Sequence, residues 1–204
     1  MSRLCILDYG SGNVRSVYNL FASCAADIVV SNKPADILNA SHLVLPGVGA
    51  FGAVVQKMDR ALPMDVLKRA VLTDGKPFLG ICIGMHVLAD RGTEFGDHKG
   101  LGWIPGTVDR LNHGQFPLPH IGWNSITCDR PTPLVTGLEQ EPDFYFVHAY
   151  TFHVHDPGHV VATTEYGERF CSVLQRDNLC GVQFHPEKSQ RAGIKLARNF
   201  LLMS

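Results

Sequence analysis

The sequence predicts an α/β protein, a mostly parallel sheet flanked by helices with antiparallel additions in the C-terminal half. Three observations carry that prediction. In the first half, short apolar runs alternate with segments of helical spacing, as in βαβ units whose strands are buried on both faces. In the second half, strand-like runs follow one another closely between Gly, Pro and Asn turns, which suits antiparallel pairing. The chain has 204 residues and 45% hydrophobic content, enough for one domain spanning 1–204 with a substantial core.

The elements follow in order. LCIL (4–7) reads as a buried strand. Val14, Val17, Tyr18, Phe21 and Ala25 then recur at helical spacing. DIVV (27–30) is a second strand and HLVLPG (42–47) ends a third. Two helical stretches, around 52–61 and 64–73, are parted by Pro63, and FLGI (78–81) is the next strand. A helix is expected just after Cys82. Beyond it, TVDRL, NSITC, DFYFVHAY, HVVATTEY, FCSVLQRD and LCGVQF read as strands. The last helix has Ser189 as its N-cap and a stripe of Ile194, Leu196, Ala197, Phe200 and Leu201.

Composition excludes several functions. Eighteen basic and nineteen acidic residues give a net charge of -1, with no basic stripe for nucleic acid or an anionic membrane. The apolar run Leu4–Leu7 is too short for a signal core or a membrane span, so a cytoplasmic protein is expected. Six cysteines without a CxxC pair suggest free thiols in a reducing compartment. Gly10-Ser11-Gly12 lacks the third glycine of a dinucleotide loop, since position 15 is Arg15. His153, His155 and His159 have no Cys or acidic cluster to complete a metal site and read as solvated strand histidines. No cofactor or metal is expected.

The stretch PFLGICIGMH (77–86) is different. A cysteine in an apolar run is ordinarily a small buried hydrophobe. Here Gly80-Ile81-Cys82-Ile83-Gly84 has the form G-x-C-x-G, parallel to the G-x-S-x-G elbow in which a strand turns sharply into a helix. The glycines let the turn close and leave the nucleophile over the strand end. The Ile83 N–H is then placed to stabilise an oxyanion. A thiolate needs a base, and the base an orienting group. GVQFHPEKS (181–189) offers His185 and, two residues on, Glu187, which alternation would put on one side of an extended segment. Alone, His-Pro-Glu is a weak signal, the alternative being a turn with solvated polar residues. A third piece, LVLPGVGAFG (43–52), ends a strand in Pro46-Gly47-Val48-Gly49, where glycine lets a backbone N–H approach a ligand. It could also be a plain strand-to-helix turn.

Taken together, these pieces resemble the class I glutamine amidotransferases, which cleave glutamine through a cysteine thioester and send the ammonia to a synthase. DYGSGNVRSV (8–17), LPGVGAFG (45–52), GICIGMHVL (80–88), HKGLGWIPG (98–106), PHIGWN (119–124), YFVHAY (145–150) and GVQFHPEKS (181–189) resemble the family's blocks in order along nearly the whole chain. The opening, PHIGWN and YFVH blocks point to the glutaminase subunits of histidine biosynthesis. Their heterodimer partner is a (β/α)8 cyclase that makes imidazole glycerol phosphate and the aminoimidazole carboxamide ribonucleotide. Related glutaminases of surface-sugar modification, and a non-catalytic regulatory relative, are the alternatives. The resemblance implies Cys82 as nucleophile, His185 as base and Glu187 as orienter. It implies Gly49 and Ile83 as the oxyanion hole, and Gly47, Gly49, His86 and Tyr150 around glutamine. It also implies that the opening segment lies near the partner interface. Two positions depart from the pattern: His86 stands where the family usually has glutamine, and Ala149 where it usually has serine.

Overall fold

The structure is a computed structural model describing residues 3–24, 27–140 and 142–204. In chain order, β1 (Arg3–Leu7), α1 (Val14–Ala22), β2 (Asp27–Ser31), α2 (Pro34–Asn39) and β3 (His42–Leu45) come first. Next are α3 (Phe51–Ala61), α4 (Met64–Lys68) running into a π-helical turn (Arg69–Thr73), β4 (Phe78–Ile81) and α5 (Ile83–His86). The second half holds β5 (Arg91–Gly92), β6 (His98–Lys99), β7 (Gly106–Arg110), β8 (His120–Ser125), β9 (Thr127–Cys128), β10 (Asp143–His148) and β11 (Tyr150–Val154). It closes with β12 (Val160–Tyr166), β13 (Glu168–Arg176), β14 (Leu179–Val182) and α6 (Gln190–Leu201).

The main sheet has eight strands in the order β2-β1-β3-β4-β14-β13-β12-β9. From β2 to β14 the pairs are parallel; β13, β12 and β9 add on antiparallel. Alternation divides its side chains between two cores. Leu4, Ile6, Val44, Leu79, Ile81 and Val182 pack on one face with Phe21 of α1 and Phe200 of α6. Leu7, Leu43, Leu45 and Phe78 pack on the other with Ile37 of α2, Met58 of α3 and Leu67 of α4. Two buried faces explain why the central strands read as unbroken apolar runs. Each such fully buried side chain contributes about 1.5–3 kcal/mol of transfer free energy.

Several expectations change in detail. Ala25 lies outside the described residues, and Tyr18 is exposed rather than on the buried stripe of α1. The helix α2 was not foreseen; it is short, with Ile37 as its one buried residue. After Cys82 the helix is a single turn. The second-half strands do not all join one sheet. NSITC divides between β8 and β9, and DFYFVHAY breaks at Ala149. There β10, paired with β8 in a two-stranded ribbon, passes the chain to β11 in a separate four-stranded sheet, β11-β7-β5-β6. Alternation marks a strand but not its partner, so local pattern could not separate these sheets. No described helix is long and apolar enough to cross a membrane.

Candidate active site

Cys82 follows β4, which lies between β3 and β14 in the interior of the main sheet. Its backbone is left-handed, φ 54° and ψ −113°, a strained conformation for a side-chain-bearing residue. The two glycines make the turn possible. A Cβ on Gly80 would run into the Gly84 carbonyl, and one on Gly84 into the Leu45 carbonyl. Neither neighbour is a flexible side chain that could move aside. The Cys82 amide is tied to the Val182 carbonyl at 2.8 Å, and Met85 and His86 donate to the Cys82 carbonyl. The thiol thus stands at the C-terminal edge of the parallel sheet, where ligand sites of such sheets lie.

His185 arrives from β14, with its own amide bonded to the Tyr145 carbonyl at 2.8 Å. Pro186–Lys188 form a 3₁₀ turn, so the path to Glu187 is not the extended one expected from alternation. Proline fixes the first turn residue, and the turn carries the carboxylate back onto the ring. His185 Nδ1 meets Glu187 Oε1 at 2.8 Å, with the two side chains 4% and 1% exposed. Asn13 Nδ2 donates to the same oxygen at 3.3 Å. Burial works to lower the His185 pKa. Its hydrogen bonds to Cys82 and Glu187, and their charges, outweigh burial and push it up to about 10. Ser189 does precede α6, but its hydroxyl makes no cap. It donates to the His185 carbonyl at 2.7 Å and accepts from the Tyr145 amide at 3.0 Å.

Cys82, Ile83, His86, Tyr150, His185 and Gly49 line one cavity of about 290 Å³, near the lower limit for a small-molecule site. Gly49 has φ 113°, a conformation suited to glycine. Gly47 lies behind the elbow instead. A Cβ there would strike Ile83 and come within 2.9 Å of the Gly84 nitrogen. His86 is buried, its Nε2 2.6 Å from Gln183 Oε1. Burial pushes its pKa down to about 4, so the ring is neutral near pH 7. Burial pushes the thiols of Cys5 up to about 11 and of Cys171 and Cys180 up to about 12. All six cysteines are free. His153 and His155 are exposed, and among the described residues no His, Cys, Asp and Glu group is arranged for a metal.

Sequence reasoning missed Glu94, Asn13 and Gln183. Glu94 lines the cavity and accepts the Phe51 amide at 2.9 Å, supplying the cap that Ala50 lacks at the start of α3. Nothing in RGTEFG marks it, because its role depends on a helix 43 residues earlier. Asn13 follows Gly12 in the opening segment, a position that reads as an N-cap; its amide goes to Glu187 instead. Gln183 could have been suspected as a polar residue at the end of a buried strand.

Known proteins resemble this chain along nearly its whole length. Residues 5–203 match the family model described as glutamine amidotransferase class-I. The chain is 46% identical over 209 residues to "Imidazole glycerol phosphate synthase subunit HisH" of Zymomonas mobilis, covering 98% of this chain and 95% of that protein. It is 43% identical to the same-named subunit of Rhodospirillum rubrum, covering 98% of each. Among solved structures, PurLQS from Thermotoga maritima superposes with TM-score 0.74 at 18% identity, covering 98% of both chains. A structure described as a glutamine amidotransferase gives 0.73 at 18%, covering 97% and 96%. At these identities the structural likeness speaks for the fold.

Proposed function

Because this chain belongs to the class I glutamine amidotransferases, in the branch of the imidazole glycerol phosphate synthase HisH subunits, we propose that it hydrolyses glutamine at Cys82 and delivers the ammonia to a synthase subunit. The observation that carries this reading is the strained Cys82 elbow sharing a cavity with a His185 ring held by Glu187.

The Cys82 thiolate attacks the side-chain amide carbon of glutamine, and the carbonyl electrons move to oxygen. The Ile83 N–H and the 48–49 peptide are the donors to that oxyanion. His185 gives its proton to the departing nitrogen, ammonia leaves, and a thioester remains. Water then attacks the thioester while His185 takes back a proton, releasing glutamate and the thiolate. Glu187 fixes the ring so that one nitrogen always faces the sulfur. The Glu94 carboxylate suits the α-ammonium of glutamine. Tyr150 and neutral His86 complete the wall.

The partner is a (β/α)8 synthase subunit in a heterodimer. The names of the relatives support a subunit role. So does the ribbon β8–β10, which exposes Ile121 and Trp123, Ile121 being paired with Val147 of the cavity wall. Ammonia released into water near neutral pH is mostly protonated and no longer nucleophilic, so the chain alone turns over glutamine poorly. The switch is Pro46-Gly47-Val48-Gly49, where the Val48 carbonyl now accepts from Ser11 at 3.3 Å. Turning one peptide N–H away from the oxyanion costs about a hundred- to a thousand-fold in rate. Partner contacts need only favour the turned state. The test is glutamate release by the chain alone, with the synthase subunit, and with subunit plus ribonucleotide acceptor. Full activity of the isolated chain, unchanged by either addition, would mean an independent amidase.

A further inference from the structure

We propose that His120 and His148 are positioning residues for the glutamine pocket, a hydrogen-bonded imidazole pair with fixed tautomers that holds the wall formed by residues 147–150. The idea rests on the glutaminase reading for what the wall binds, but its geometry stands apart from it.

The pair has two ends, and each dictates the same tautomers. At the inner end, His148 Nδ1 lies 3.0 Å from the Tyr150 carbonyl oxygen. A carbonyl only accepts, so Nδ1 carries the hydrogen, and in a neutral ring Nε2 is then an acceptor. That Nε2 is 2.9 Å from His120 Nδ1, which must donate. At the outer end, Asn124 Oδ1 accepts the Ser125 amide at 2.8 Å, which assigns Nδ2 as the donor. Asn124 Nδ2 donates to the Glu165 carbonyl at 3.0 Å and reaches His120 Nε2 at 3.4 Å. His120 Nε2 therefore accepts and Nδ1 donates, in agreement with the inner end. Adding a proton to either ring would set donor against donor. Burial accordingly pushes His120 down to about 4 and His148 down to about 3.

The pair sits where the pocket wall needs support. Val147, His148, Ala149 and Tyr150 line the cavity, and the Val147 carbonyl lies 3.9 Å from Cys82 Sγ. At Ala149 the chain leaves one sheet for another, so no single ladder spans this wall. The bond from His148 to the Tyr150 carbonyl closes that junction. His120 is clamped between Tyr166, 3.9 Å away ring to ring, and Phe146, 4.9 Å away. Simple filling of this aromatic space would not require two buried imidazoles, each costly to desolvate.

Two variants separate positioning from packing. His120→Phe keeps a ring between Tyr166 and Phe146 but leaves His148 Nε2 without a donor. His120→Asn gives up the ring but sets an amide N–H where Nδ1 stood. In the complex with the synthase subunit, His120→Phe should raise the KM for glutamine by about tenfold, the scale of one lost buried hydrogen bond, with a smaller change in kcat. His120→Asn should restore KM to within about threefold of the parent. The reverse order, Phe harmless and Asn damaging, would reduce the pair to packing and overturn the proposal. Nitrogen-15 NMR of the parent near pH 7 should show both rings as the Nδ1–H tautomer; either ring as Nε2–H would also overturn it. A parent without glutamine turnover would end the proposed function, while the tautomers would still be read.

Discussion

Replacing Glu187 by glutamine tests the division of labour in the triad. The carboxylate is 1% exposed and meets His185 Nδ1 at 2.8 Å through Oε1, the oxygen that also takes the Asn13 amide. Its second oxygen is buried without a hydrogen-bond partner among the described residues. A glutamine can therefore turn its carbonyl to the ring and put its NH2 in that empty position. The geometry survives and the charge is lost. A hydrogen bond to a charged group contributes about 1.5–3 kcal/mol, so kcat/KM should fall about 10- to 150-fold. Breaking the buried pair outright would cost about 3–5 kcal/mol, but the retained carbonyl acceptor avoids that. The pH dependence should change as well. His185 stands at about 10 although burial opposes it, with Glu187 among the groups that raise it. Without the carboxylate charge the alkaline limb of the kcat/KM profile should move to lower pH. The linkage has a definite sign. A folded pKa above the unfolded value of about 6.5 supplies stability that is complete below that value and is lost as pH rises through the folded one. Thermal melts of parent and variant should thus differ most near pH 6 and converge toward pH 10. Steady-state kinetics and paired melts provide both readings. A variant as inactive as Cys82→Ala, or one with an unshifted alkaline limb, would refute the role assigned to Glu187.

Cys82→Ala should abolish glutamate release and covalent labelling by a glutamine-analogue electrophile while remaining folded; equal loss in Cys24→Ala or Cys171→Ala would show that Cys82 is the wrong thiol. His86→Gln should alter the KM for glutamine more than kcat, because the ring is neutral and lines the cavity beside the nucleophile; unchanged constants would remove it from the substrate wall. Acid should destabilise the fold. Burial holds His86, His120 and His148 well below the usual value, so the stability they supply is present above about 6.5 and is lost as pH falls toward 4; burial lowers His42 in the same direction. His185 offsets this only at the top of that window, because below about pH 6 it is protonated in both states. Melting temperatures between pH 7 and 4.5 should decline, and a flat or rising series would contradict the buried-neutral assignment.

What the sequence determined by itself was local. The βαβ rhythm follows from apolar runs of strand and helix period, and those periods are properties of neighbouring residues. The elbow was legible for the same reason: Gly80 and Gly84 are needed within one turn of Cys82, so the requirement is written beside it. His185 and Glu187 were paired correctly, though by a turn and not by strand alternation. What tertiary structure alone decided joins distant segments. Asn13 reaches Glu187 across 174 positions, Gln183 reaches His86 across 97, and Glu94 caps a helix 43 residues upstream. The division of the second half into three sheets, and the imidazole pair at their junction, belong to the same class. A side chain's type states which bonds it can make, whereas its partner depends on how the sheet brings strands together, and period-two alternation is the same whichever strand lies alongside.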